Sequence, residues 1–422
     1  MTERTFDVVI AGGGLAGSTL GGVLARGGLQ VVVIERERVF RDRIRGEFTW
    51  PWGRAEIDRL GLTPVFESIG ALPLLRMDEY LDGAFSRSID VVPRPGLTFQ
   101  HAPLQEALLS WAAEQGAEII RPARAVEFEP GDLPSVRVQR DGAQKSISGR
   151  LVVAATGRES GARKWTGASS ETDPEHHRFG GVSIQGAAFA DGSLLLGQNS
   201  PEQALLFHLA GEGLARLYLR TFDDVLQATP LAQSFETLVE YVRPWFTPEV
   251  LADARQVGPL GFFPNSTTWA TKLTAPGVAL IGDVAGSADP SGGHGTSLVF
   301  RDVRVLSDLL LASDDWRAAL ARYETERGAY YDVIRARDRW YGEVAAARGQ
   351  QGDERRARQA KARELDPTLA GFGAVEFLGP DGLVPDEEHR RIYFGEHISP
   401  DDLEPRSDLS KSVEQGTDGD GG

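Results

Sequence analysis

Asp7-Val-Val-Ile-Ala-Gly-Gly-Gly-Leu-Ala-Gly17, with the stretch that runs on to Glu35, decides the fold. Phe6 to Ala11 is apolar and rich in Val and Ile, the pattern of a buried parallel strand. Gly12, Gly14 and Gly17 form G-x-G-x-x-G at its end. In such a turn Gly12 permits the tight bend, Gly14 lets backbone approach a pyrophosphate, and Gly17 lets the next helix pack on the sheet. That helix is predicted from about Leu15 to Ala25, stopping at Arg26-Gly27-Gly28. Its N-terminus, at Leu15 and Ala16, offers free N–H groups and partial positive charge to an anion. A second strand, Gln30 to Ile34, ends in Glu35, whose carboxylate suits ribose hydroxyls. Strand, turn, helix, strand and acid fall in the order of a dinucleotide site.

A second segment, far along the chain, reads as the other half of that site. It is Gly277-Val-Ala-Leu-Ile-Gly-Asp283, continuing to Pro290-Ser-Gly-Gly-His-Gly295, with Asp302 beyond. Val278 to Ile281 is a short buried strand, so Gly282 and Asp283 lie at its C-terminal end, where open α/β sheets bind ligands. Asp283 is placed to hold ribityl hydroxyls. Thr296 to Leu310 has helical periodicity. Its start would point a positive helix end at a flavin, which favours the anionic reduced ring. The two halves together indicate FAD.

The fold class that follows is α/β: a Rossmann-type FAD-binding domain with an inserted β-rich substrate domain and a C-terminal helical extension. Residues 1–71, 101–177 and 276–312 are assigned to FAD binding. Residues 72–100 and 178–275 are assigned to the substrate domain. Within them a helix is predicted near Leu231 to Val242, and turns at Ala190-Asp-Gly and Ala210-Gly-Glu-Gly. Leu104 to Gln115 reads as an amphipathic helix, Ala117 to Arg121 as a strand, and Leu151 to Ala155 as a buried strand. Residues 313–400 form the helical region: the pattern is helical from Asp314 to about Arg363, and the highly charged stretch Asp353 to Glu364 reads as a solvated helix. Residues 401–422 are polar and glycine-ended, the composition of a disordered tail.

The chain has 422 residues and a formal charge of −16, which argues against nucleic acid and against an anionic membrane surface as partners. There is no cysteine, hence no disulfide framework or thiolate metal site, which suits a cytoplasmic location. Nothing has metal-ligand spacing. No signal peptide is evident, and no apolar stretch is long enough to span a bilayer.

Three blocks carry a family likeness over roughly the first 340 residues. They are the fingerprint above; Val152-Val-Ala-Ala-Thr-Gly157-Arg-Glu-Ser160-Gly-Ala-Arg163; and Gly282-Asp283 with Pro290 and Gly293-His294-Gly295. The chain resembles the class A flavoprotein monooxygenases, the para-hydroxybenzoate hydroxylase family. Asp42-Arg-Ile-Arg45-Gly-Glu47-Phe-Thr-Trp-Pro-Trp-Gly53 looks like the corresponding loop of squalene epoxidase-type members. Thr156, His294 and Gly286 stand where that family usually has Asp, Gln and His. The Ala288-Asp289-Pro290 turn is also similar to flavin-dependent halogenases, though a W-x-W-x-I-P segment is missing.

The resemblance implies FAD, NADPH or NADH as reductant (directly or through a partner flavin reductase), and molecular oxygen. It implies a flavin hydroperoxide that hydroxylates or epoxidises an aromatic or polyunsaturated small molecule. A halogenase, an isoprenoid reductase of the same fold and a non-catalytic FAD-binding protein are the alternatives. Expected cofactor residues are Gly12, Gly14, Leu15, Ala16, Gly17, Glu35, Arg36, Arg45, His101, Thr156, Gly157, Gly282, Asp283, Pro290, Gly293, His294, Gly295 and Thr296. Pro290, Gly293, Gly295 and Arg45 are expected beside the reacting edge. Trp50 and Trp52 are candidate walls of an aromatic pocket, with His208 and Arg220 as candidate substrate contacts; Tyr218 and Trp269 occupy the same region. His176-His177 reads as surface. Oligomeric state is open.

Overall fold

The computed structural model describes residues 5–397 except 45, 159–160, 175–176, 367–368 and 370–373. Arg45, His176 and the tail 401–422 therefore lie outside the described residues.

Phe6–Ala11 forms the central strand of the first sheet because both its faces are apolar and buried. It pairs in parallel with Val31–Ile34 on one side and with the end of Ala143–Ala154 on the other. Glu118–Ile120 and Val278–Leu280 add further parallel strands outside these. Thr274–Ala275 closes one edge antiparallel. The spatial order is thus Thr274–Ala275, Val278–Leu280, Ala143–Ala154, Phe6–Ala11, Val31–Ile34, Glu118–Ile120. Three neighbouring parallel strands end at Ala11, Ala154 and Leu280. The turns that follow them, Gly12–Gly14, Ala155–Arg158 and Ile281–Asp283, consequently sit side by side at one sheet edge.

The first helix, Leu15–Arg26, shows why the glycines stand where they do. A Cβ on Gly17 would lie 1.8 Å from the carbonyl oxygen of Gly12, and one on Gly12 would lie 2.4 Å from that of Ala155. Gly12 also has a φ of +109°, which an L side chain rarely adopts. Helix, turn and neighbouring strand are pressed together backbone to backbone.

The second sheet is seven-stranded, in the order Arg255–Pro264, Arg178–Gln185, Leu214–Thr221, Glu202–His208, Ser193–Asn199, Arg76–Leu81, Ala84–Asp90. Strand alternation sorts its faces. In Leu214–Thr221, Ala215, Leu217 and Leu219 join a core with Leu238, Val239 and Val242 of the helix Phe235–Val242. Tyr218 instead joins the core shared with the first sheet, so its face looks towards the dinucleotide side.

Several expectations need correction. Residues 72–100 do not act as one unit. Gly96–Thr98 pairs with Phe48–Thr49 on one side and Leu72–Leu74 on the other in a separate three-stranded sheet, and only Arg76–Leu81 and Ala84–Asp90 join the second sheet. The helix expected from Leu231 begins at Phe235, because the Ser234 hydroxyl accepts from Thr237 N (3.1 Å) and caps it. The long C-terminal pattern is two helices, Trp316–Tyr341 and Gly349–Leu365. They part at a π-turn, Gly342–Ala346, followed by Ala347 in extended conformation and Gly349 at φ +74°. Arg124–Glu129 and Ser135–Arg140 form an antiparallel ribbon on the early half of Ala143–Ala154, in a stretch left without assigned elements above.

Gly17→Ala is expected to destabilise the protein by about 1–3 kcal/mol, because two backbones must separate to admit one methyl. Thermal melting checks this, and an unchanged melting temperature would contradict the packing described.

Candidate active site

The three strand-end turns and the second sheet enclose a cavity of about 570 Å³. Gly14, Leu15 and Ala16 line it from the first turn, Gly157 and Arg158 from the second, Asp283 from the third. Pro290, Gly293, Gly295 and Thr296 close one side, and the helix Gly295–Leu311 starts there, its N-terminal N–H groups at the cavity. His101 and Gln105 line it from the helix His101–Glu114. His101 Nδ1 lies 3.0 Å from the Gly46 carbonyl.

The lining glycines differ in what surrounds them. A Cβ on Gly157 or Gly295 would meet nothing within 4 Å, and one on Gly14 would come no nearer than 3.6 Å, to Gln105 Nε2. Bare backbone at these positions faces open space of the kind a large flat ligand with a pyrophosphate needs. Gly293, in contrast, has φ +69° and a Cβ there would strike the Phe48 ring at 2.3 Å. Glu35 is buried next to the first turn, where its carboxylate accepts from Gly13 N at 2.7 Å and Glu37 N at 2.6 Å. Arg36 is exposed, 3.5 Å from Glu37. Thr156 is half-buried between Ala155 and Gly157.

The third turn is held from behind. Asp302 accepts from Gly282 N (3.0 Å), from Tyr330 Oη (2.5 Å) and from Arg327, which also donates to the Gly286 carbonyl (3.0 Å). Arg163 donates to the Val284 carbonyl at 2.8 Å. Asp289 anchors the Pro290 turn: its Oδ1 accepts from Ser291 N (2.8 Å) and Asn265 Nδ2 (2.7 Å). Its own N–H donates to Asp338 (3.0 Å), whose carboxyl is held well above the usual range by burial and then by Asp289.

Four expected pocket residues lie elsewhere. Trp50 is buried and donates its indole N–H to the Gly292 carbonyl (2.8 Å), bracing the Pro290 turn from outside the cavity. Trp52 packs on Gly379 and near His294. His208 stacks on Phe189 at the far end of its strand. Arg220 donates to Tyr341 and to the Pro201 and Ala345 carbonyls, tying the second sheet to the C-terminal region. Trp269 stacks under Arg335. His294 is also corrected. Its ring is fully buried away from the cavity, between Trp52 and Arg337, because the left-handed Gly293 turns the chain there. Burial first, then Arg337, lowers it to about 3, so it stays neutral. His177 is not surface: it is buried beside Asn265 and 3.0 Å from Ser291 Oγ.

The walls are instead Phe48, Phe179, Tyr218 and Phe263. Phe179 stacks on Tyr218 at 4.9 Å. Beside them Glu47 also lines the cavity, yet its carboxylate is buried. It accepts from Tyr218 Oη (2.8 Å) and Arg216 Nη2 (2.5 Å), and Arg216 also reaches Asp42 (2.9 Å). Burial is the largest influence on Glu47 and outweighs the attraction of Arg216, raising it from 4.5 to about 7. Alternation along Leu214–Thr221 puts Arg216, Tyr218 and Arg220 on one face, but not which of the three meets the cavity.

The fold takes up a proton at Glu47 relative to the unfolded chain. The cost of ionising it is absent below 4.5 and is felt as pH rises towards 7. From about pH 5 to 8 the melting temperature should therefore fall further in the native chain than in Glu47→Gln. Equal falls would contradict the buried placement.

A family model described as "FAD binding domain" matches residues 5–334. Squalene epoxidase 3 of Arabidopsis thaliana is 25% identical over 323 residues, covering 72% of this chain and 60% of that protein. The match thus spans less than two thirds of that relative. Among solved structures, the flavin-dependent brominase Bmp2 superposes with a TM-score of 0.74 at 16% identity, covering 92% of this chain and 97% of that one. The p-nitrophenol 4-monooxygenase PnpA of Pseudomonas putida gives 0.71 at 17%, covering 96% and 100%. These two likenesses establish the fold and leave the reaction open. Since the family match runs through the first turn, the second, the third and the helix behind them, the chain belongs to the FAD binding domain family.

Proposed function

We propose that this protein is an FAD-dependent monooxygenase that hydroxylates or epoxidises an aromatic or polyunsaturated small molecule. One observation carries the reading: a single cavity joins the dinucleotide turn to an aromatic wall on the second sheet. Relatives that are squalene epoxidases support it.

Bound FAD would supply the redox chemistry, taking electrons from a nicotinamide and activating oxygen. The residues present fit it. Gly14, Leu15 and Ala16 offer unencumbered backbone and a helix N-terminus for the pyrophosphate. Glu35 retains lone pairs for ribose beyond its two backbone donors. Asp283, at the strand end, would take hydroxyls of the ribityl chain. Gly293, Gly295 and Thr296 would present N–H groups and a positive helix end to the ring's pyrimidine side. Pro290 and the aromatic walls would exclude water from the reacting space. Arg45, outside the described residues, is proposed from the sequence alone to contact the flavin phosphates or the nicotinamide.

The test is anaerobic mixing of FAD-loaded protein with NADPH and then NADH while flavin absorbance is followed. The expected result is bleaching, accelerated by a bound aromatic ligand, with either nicotinamide alone. No bleaching without an added flavin reductase would contradict direct reduction. Halide-dependent product after reduction would favour the halogenase alternative.

No helix among the described residues is long and apolar enough to cross a membrane.

A further inference from the structure

Glu47 and Tyr218 sit where the cavity is otherwise aromatic. Phe179 and Phe263 flank Tyr218, and Phe48 follows Glu47 in the chain. A buried carboxylate is expensive unless paired, so such a group beside an apolar wall calls for an explanation. Here the pairing is incomplete in charge. Two carboxyl groups, Asp42 and Glu47, share one guanidinium, that of Arg216. Among the described residues, the uncharged groups Tyr218 and Ser183 also meet the pair: Tyr218 donates to Glu47, and Ser183 Oγ lies 3.4 Å from Asp42. With both acids ionised, the cluster holds an excess of one negative charge. Among the described residues the guanidinium that lines the cavity is that of Arg158, which donates to the carbonyl and hydroxyl of Ser266. The hydroxyl of Tyr218 spends its proton on Glu47, which leaves its oxygen as an acceptor.

We propose that Glu47 and Tyr218 are the polar anchor of the substrate site. They would select an uncharged, flat or polyunsaturated molecule carrying a hydroxyl or N–H donor, and turn carboxylates away. The donor would bond to Tyr218 Oη or to Glu47. Beside Glu47 an incoming carboxylate would meet like charge, and the one cation there among the described residues, Arg216, is already held by Asp42 and Glu47. The inference rests on the cavity being a flavoenzyme's substrate site, but it concerns binding and needs no turnover.

Three probes of one shape test it: 1-naphthol, naphthalene and 1-naphthoate. They are titrated into FAD-loaded, oxidised protein at about pH 8, with binding read from perturbation of the flavin spectrum. That pH lies above the value of about 7 to which burial raises Glu47. Naphthol should bind about tenfold more tightly than naphthalene, and more tightly still than naphthoate. Glu47→Gln should narrow the naphthol-over-naphthoate ratio by about tenfold, because it removes the excess charge. Tyr218→Phe should cut the naphthol-over-naphthalene preference while naphthoate stays excluded. Naphthoate binding as tightly as naphthol in the native chain would overturn the proposal, whatever the variants do. FAD uptake is scored beforehand, and its failure would overturn the flavoenzyme reading and this inference with it.

Discussion

Everything at this site depends on three parallel strands ending at the same sheet edge. A parallel sheet aligns its strand ends, and each end releases its chain into a turn on the same side. Ala11, Ala154 and Leu280 are adjacent across two pairings, so residues far apart in sequence become neighbours. The turns can approach a ligand only if their backbones are bare, and can stay in place only if something holds them from behind. Gly14, Gly157 and Gly295 meet the first condition. Gly12 and Gly17, wedged against Ala155 and each other, meet the second for the first turn. Asp302, Arg327 and Arg163 meet it for the third.

The C-terminal helices are part of that support. Tyr330 and Arg327 of Trp316–Tyr341 grip Asp302, and Asp338 receives the Asp289 N–H. Arg337 pairs with Glu376 beyond. A chain of polar contacts therefore runs from the Pro290 turn through Asp338 and Arg337 to Glu376. Most of these groups have partners, as buried charges require. The second sheet contributes differently. It sends Phe179, Tyr218 and Phe263 to the cavity, and the Tyr218 hydroxyl meets Glu47 of the loop before Phe48.

The halves of the site nearest the sheet were legible because strand alternation, glycine spacing and acidic strand ends are local signals. Gly14, Leu15, Ala16, Asp283, Pro290 and Thr296 line the cavity as the motifs lead one to expect. The far wall was not legible. Trp50 and Trp52 follow the loop that carries Glu47 and Phe48, but Glu47 and Phe48 line the cavity and the two tryptophans do not. Arg220 shares a strand face with Tyr218, yet lies one pleat further on and meets Tyr341 instead. Which residue of a face meets the cavity depends on how one sheet is offset against another, which no short window of sequence encodes. His294 differs for a related reason: its neighbours Gly293 and Gly295 line the cavity, while its own ring is buried elsewhere, near Trp52.

The central claim is that the first turn and the Gly282–Thr296 segment are two halves of one FAD site. Calorimetric titration of the apoprotein with FAD, beside Gly14→Val and Gly295→Val, tests it most directly. Both positions have room for the new side chain in the protein alone, so folding, followed by thermal melting, should survive. The account predicts one FAD per native chain and a loss of about tenfold or more in affinity in each variant. Native affinity in either variant, with the fold intact, would contradict it.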